Sequence, residues 1–262
     1  MPETTEGRFA NGLEFLRLGK GPVLVMSPGL GPSNELPTGL SRHASLASAQ
    51  PFAQHFTVYV LQRRVGMPKT WELRDIATDY ASAIEELSEP VLLHGASTGG
   101  SVALQVAADN PQLVRRMVIA SAACSLSDRG RYIQVEFARL VAEGDIRGAY
   151  AYLAGVLAPG ALRRPVGGMG WLLGRAVSGV DHGDMLTTVS AEDRFDAEPY
   201  LSNVTAPTLV LGGAKDPLYT RNLFERTAAG VTDGRAVIYE GKGHLYPSGG
   251  KASTLAAGFL LG

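Results

Sequence analysis

Apolar positions along this chain fall into short unbroken blocks separated by longer stretches at helical spacing. Val23-Leu24-Val25-Met26, residues 56–61, Val91-Leu92-Leu93, Met117-Val118-Ile119 and residues 208–211 show no alternation, as strands covered on both faces should. Residues 13–18 alternate as a strand, and residues 235–239 supply the last one. Helical spacing recurs from about Arg42, and over residues 70–87, where Ile76, Tyr80, Ala83, Ile84 and Leu87 share a face. It returns over residues 99–109, 218–229 and 248–261. Strand alternating with helix predicts an α/β fold, a mostly parallel sheet flanked by helices and joined by right-handed crossovers. The tight Gly19-Lys20-Gly21-Pro22 turn predicts that strand 13–18 pairs antiparallel with strand 23–26.

The pattern changes between residues 124 and 196. Helical spacing continues over 131–142, 146–157 and 171–180, with breaks at Ala158-Pro159-Gly160 and across 165–170, and no strand is evident. The chain therefore divides into a core, residues 1–123 and 197–262, and an all-helical insertion, 124–196. Such an insertion is expected to cap the carboxyl ends of the strands, where ligands bind in open α/β sheets. Met169, Trp171 and Met185 are among the residues that would give the cap an apolar underside.

Composition narrows the partners. A formal net charge of −1 gives no electrostatic reason to expect nucleic acid or an anionic membrane. The single cysteine, Cys124, excludes an internal disulfide and a cysteine-based zinc site. The acidic N-terminal segment does not resemble a secretory leader, and no apolar run approaches a membrane span. The expectation is a cytoplasmic monomer or homodimer acting on a small molecule. His43 and His55 have no partner spacing for a metal, and no cofactor is implied.

Candidate chemistry centres on residues 90–110: a buried strand, the turn Gly95-Ala96-Ser97-Thr98-Gly99, and a helix rich in small residues. A serine at such a turn is held out from the top of the sheet in a strained conformation. The two glycines are required because a Cβ at either would strike the neighbouring strand or helix. The helix that starts there favours negative charge developing beside it. The pentapeptide alone recurs by chance, so its context decides. Ser27-Pro28-Gly29-Leu30-Gly31-Pro32, which leaves the strand at 23–26, offers the Leu30 N–H as a second donor beside that of Thr98, together an oxyanion hole. Asp216 lies just past strand 206–213, and His244 lies on the glycine-flanked loop leaving the last strand. Asp193, Asp196 and Asp128 are weaker candidates for the acid, and His182 competes weakly with His244. Arg63 and Arg64 read as solvated rather than as part of a site mouth.

With GASTGG, APTLVLGGAKDP and GKGHLYP in the order Ser…Asp…His, the sequence resembles the α/β-hydrolase fold superfamily over essentially its whole length. The resemblance implies Ser97 as nucleophile, His244 as general base and then acid, and Asp216 as the group that orients the imidazole. One departure stands out, since many relatives begin the oxyanion loop with His-Gly and this chain has Ser27-Pro28-Gly29. The expected activity is hydrolysis of a carboxylic ester, lactone or related acyl bond of an apolar small molecule. Gly29, Met169, Trp171, Met185 and Leu245 are expected to contact the substrate. Cleavage of a carbon–carbon bond in a dienoic diketone, or a non-catalytic binding role, are the alternatives.

Overall fold

The computed structural model describes residues 3–158 and 160–262. Met1 and Pro2 of the N-terminal segment, and Pro159 of the break expected at 158–160, lie outside the described residues. The chain opens with β1 (Thr4–Arg8), β2 (Glu14–Leu18), β3 (Val23–Ser27), α1 (Gly39–Ala53), β4 (Thr57–Leu61) and α2 (Leu73–Glu85). It continues with β5 (Val91–Ala96), α3 (Thr98–Asp109) and β6 (Val114–Ala120). Four helices follow: α4 (Asp128–Ala142), α5 (Ile146–Leu157), α6 (Arg163–Ala176) and α7 (Gly183–Asp193). The chain then returns through β7 (Thr208–Gly213), α8 (Arg221–Gly230), β8 (Gly234–Tyr239) and α9 (Lys251–Leu261).

The strands form one sheet in the order β1-β2-β4-β3-β5-β6-β7-β8, parallel from β4 onward. Its unbroken apolar blocks have a direct cause. Val25, Leu93, Ile119 and Val210 point into a layer shared with α2, α3 and α8. Their neighbours Leu24, Leu92, Val118 and Leu209 point into a second layer shared with α1 and α9. Each strand thus needs apolar side chains on both faces. The order reverses at β3 and β5, which lie side by side, and this is where an α/β sheet opens a crevice at its carboxyl edge.

Three local expectations are corrected. Strand 13–18 does not pair with strand 23–26: β2 pairs antiparallel with β1 and with β4, and β4 separates it from β3. Gly19 and Gly21, at φ +80° and +127°, pass so close beneath residues 53–56 that a Cβ on either would sit 2.3 Å from a backbone oxygen, of Phe56 or of His55. The turn therefore carries the chain under β4 rather than folding it into a hairpin. Next, residues 165–170 do not break the helix, because Pro165 falls in the first turn of α6, where its missing N–H costs nothing. Gly170 is needed for close packing, since a Cβ there would lie 2.3 Å from the Tyr150 carbonyl oxygen of α5. Finally, β1 and α7 had no counterpart in the hydrophobic pattern.

The four-helix excursion leaves and rejoins the sheet side by side, with Ser125 bridged to Asp196. Phe137, Val141, Ile146, Ala149 and Met185 give it a small core of its own, and Leu30, from the loop after β3, packs against that core.

Candidate active site

Ser97 sits between β5 and α3 at φ 51°, ψ −130°, a conformation that costs a non-glycine residue about 1–3 kcal/mol. Its N–H donates to the Ala120 carbonyl at 2.8 Å, which ties the turn to the end of β6. The flanking glycines are sterically fixed. A Cβ on Gly95 would lie 2.4 Å from the Gly99 carbonyl oxygen, and one on Gly99 only 2.0 Å from the Ser27 carbonyl oxygen. Only glycine lets β3, β5 and α3 converge this tightly.

Three loops bring three side chains into one line. His244 Nε2 is 3.0 Å from Ser97 Oγ, and His244 Nδ1 is 2.7 Å from Asp216 Oδ2. The Asp216 side chain is fully buried, and its other oxygen accepts the N–H groups of Leu218 (2.8 Å) and Tyr219 (3.3 Å). With that oxygen held, Asp216 fixes the tautomer that places the Nδ1 proton toward itself and leaves Nε2 facing the hydroxyl. The Tyr219 ring lies nearly parallel to the imidazole, centroids 6.1 Å apart. Ser121, a second serine at positive φ, donates its Oγ to the His244 carbonyl at 2.5 Å and props the loop from below. The other acids lie elsewhere: Asp128 is exposed in the first turn of α4, and Asp196 accepts the Glu198 N–H. His182 turns its Nδ1 to the Pro32 carbonyl at 3.0 Å.

Neither the Leu30 nor the Thr98 N–H has a hydrogen-bond partner among the described residues. A Cβ on Gly29 would come within 3.4 Å of Ser97 Cβ, so this loop runs directly beside the hydroxyl. What holds it there is Arg63, which is buried at 4% exposure, not solvated as its sequence context implied. Its guanidinium donates to the carbonyls of Pro28 and Gly29, both at 2.9 Å, and to Asn34 Oδ1 at 3.3 Å. Arg64 points outward to a paired Asp79 and stacks on Trp71. Two adjacent arginines thus face opposite ways, as alternation just past β4 demands.

A second buried group went unread. Glu192, at 0% exposure near the end of α7, accepts from Thr98 Oγ1 (2.7 Å), Ser101 Oγ (2.9 Å), Gln134 Nε2 (3.0 Å) and Tyr219 OH (3.2 Å). Its carboxylate rests on the first turn of α3, where free N–H groups favour negative charge. Burial and the adjacent Glu192 charge hold the Tyr219 hydroxyl well above its ordinary range, so it remains a donor. A signal was present, because Glu192 falls at helical spacing on the same face as buried Met185 and Val189.

A cleft of about 1140 Å³ opens between α5, α6 and the loops after β7 and β8. Met169 and Leu245 line it. Trp171 and Met185 do not line it. Met169 and Leu173 share one face of α6, whereas Trp171, two residues on, faces away and carries the Arg147 guanidinium 3.0 Å from its ring centroid. Met185 is sealed in the core of the excursion at 1% exposure. Asp216, Gly243 and Leu245 border the cleft, so the loop bearing His244 forms part of its wall. Among the described residues no group of histidine, cysteine and acidic side chains is placed to hold a metal ion, and no helix is long and apolar enough to cross a membrane.

The chain belongs to the alpha/beta hydrolase family, whose model matches residues 23–250. It is 28% identical over 202 residues to pyrrolizixenacetamide deacetylase of Xenorhabdus hominickii, a match spanning 76% of this chain and 75% of that one. In fold it is similar to MGS-M2, an alpha/beta hydrolase from a Medee basin deep-sea metagenome library, with a TM-score of 0.83 over 98% of each chain at 17% identity. The enol-lactonase from Burkholderia xenovorans LB400 superposes with a TM-score of 0.76 at 17% identity, covering 98% of this chain and all of that one.

Proposed function

We propose that this protein is a serine hydrolase that cleaves a carboxylic ester, lactone or related acyl bond of a small, largely apolar molecule. The contact chain Ser97–His244–Asp216 is the observation that carries this reading. Ser97 Oγ attacks the acyl carbon while His244 Nε2 takes its proton, and Asp216 stabilises the imidazolium that forms. Negative charge on the tetrahedral oxygen is met by the N–H groups of Leu30 and Thr98, which have no hydrogen-bond partner among the described residues. His244 then protonates the leaving group, and water, activated by the same imidazole, releases the acyl group from Ser97. The helical excursion serves as a cap that keeps bulk water from the acyl-enzyme. A deacetylase and an enol-lactonase among the relatives agree with acyl chemistry.

The test is turnover of p-nitrophenyl acetate by wild type and by Ser97→Ala. Wild type should show a burst followed by steady hydrolysis, and the variant should lose roughly 10⁴-fold or more in kcat. Equal rates from the two proteins would remove Ser97 as nucleophile.

A further inference from the structure

The cleft bordered by the His244 loop is strongly cationic. The whole chain is nearly neutral, at −1. Yet Arg129, Arg163, Lys215 and Lys242 all line this one cleft. Its single acidic residue is Asp216, whose side chain is fully buried and committed to His244 and to two backbone N–H groups. Some arginines elsewhere on the surface meet carboxylates, as in Arg139 with Glu136 and Glu143, or Arg221 with Glu240. None of the four cleft cations forms an ion pair among the described residues. Lys215 and Lys242 are held as neighbours by the bond from the Lys215 N–H to the Lys242 carbonyl at 2.7 Å, and the Lys242 ammonium lies 4.7 Å from the Tyr246 ring centroid.

Between these cations the wall is apolar: Leu153, Val156, Leu157, Val166, Met169 and Leu173 from α5 and α6. An apolar trough ringed by like charges with no counter-charge has one complementary occupant. We propose that the cleft binds the carboxylate-bearing end of an amphipathic substrate, with its alkyl or ring portion against α5 and α6 and its anionic group at Lys215 and Lys242. This rests on the acyl-hydrolase reading and narrows it, from an apolar small molecule to an ester or lactone that also carries a free carboxylate. The loop bearing His244 is one wall of the cleft, so a substrate that reaches round it can occupy both the cleft and the acyl site. Cations exposed in water gain little singly, but several facing one low-dielectric trough act together on an anion held inside it.

The experiment compares mono-p-nitrophenyl esters of adipic, suberic and sebacic acids with the same esters capped as ω-methyl esters. For wild type at low salt, kcat/KM should favour at least one free acid over its capped partner by about tenfold or more, and the preference should shrink as salt rises. In the double variant Lys215→Met/Lys242→Met, shown folded by an unchanged melting transition, that ratio should fall to near one. A ratio near one in wild type at every chain length, or one that survives in the double variant, overturns the proposal. Calorimetric titration of octanoate into Ser97→Ala separates this from failure of the hydrolase reading. If no ester is turned over, octanoate binding that is lost in Ser97→Ala/Lys215→Met/Lys242→Met still supports the cleft as an anion site, and no binding refutes it.

Discussion

Glu192 offers the sharpest test of how the helical excursion supports the chemistry below it. Its carboxylate is the shared acceptor of four donors from three other parts of the chain: Thr98 and Ser101 on α3, Gln134 on α4, and Tyr219 before α8. Glu192→Ala would leave those donors without an acceptor in a site closed to solvent, and would open a void as well. Each stranded polar group costs about 1–3 kcal/mol where it cannot turn to another partner. Hydroxyls can turn, so the loss should total roughly 3–5 kcal/mol, a large share of a typical domain's stability. Glu192→Gln keeps the volume and one acceptor, and the hydroxyls of Thr98, Ser101 and Tyr219 can reorient to accept from its amide. Its stability cost should be about 1–2 kcal/mol. The catalytic consequence is more selective, because Thr98, proposed above as one of the oxyanion donors, is fastened by this carboxylate. Glu192→Gln should lower kcat roughly tenfold with KM within about twofold, the signature of a loss felt in the transition state. Urea unfolding gives the first quantity and steady-state kinetics the second. A Glu192→Ala protein within about 1 kcal/mol of wild type and with unaltered kcat would refute the reasoning.

Other expected outcomes follow from single contacts. Arg63→Met should free the loop carrying Leu30, lowering kcat by roughly ten- to a hundredfold on p-nitrophenyl acetate; an unaltered kcat would show that the loop holds itself. Asp216→Asn should cost about 10⁴-fold in kcat by losing the tautomer lock, while the same change at Asp128 or Asp196 stays within about tenfold. Burial pushes the His94 imidazole down to about 4, so it stays neutral in the folded chain at pH values where an unfolded chain binds a proton. The stability it contributes is present above about pH 6.5 and is lost as pH falls toward 4, roughly 2–3 kcal/mol between pH 7.5 and 4.5. His94→Leu should flatten that slope in urea titrations at the two pH values, and an identical slope would discount this histidine.

Much of the sheet was legible because parallel strands covered on both faces must be apolar throughout, and β3, β4, β5, β6 and β7 each advertise this. Edge strands have no such obligation. β1 is Thr-Thr-Glu-Gly-Arg, largely solvated, and gave no signal. Helix α6 looks broken in the sequence because a proline and several glycines are helix-averse in isolation, whereas against α5 the glycines are the contact surface. The three side chains that meet at Ser97 were legible because each follows a strand end, where chain order and spacing already fix the neighbourhood. Arg63 and Glu192 were not, since charged residues are presumed outward and only the assembled fold reveals a carbonyl pair or a hydroxyl cluster waiting for them.

The Ser125–Asp196 bridge makes the helical excursion look detachable, a cassette that evolution or an engineer could exchange at one seam. The buried acid near the end of α7 says otherwise, for it reaches out of the cassette and grips the turn after Ser97. Any replacement module would have to arrive with its own carboxylate at that spot, or be accompanied by apolar residues in place of Thr98 and Ser101. Exchanging this module is therefore a two-sided design problem, with one side of it lying in α3.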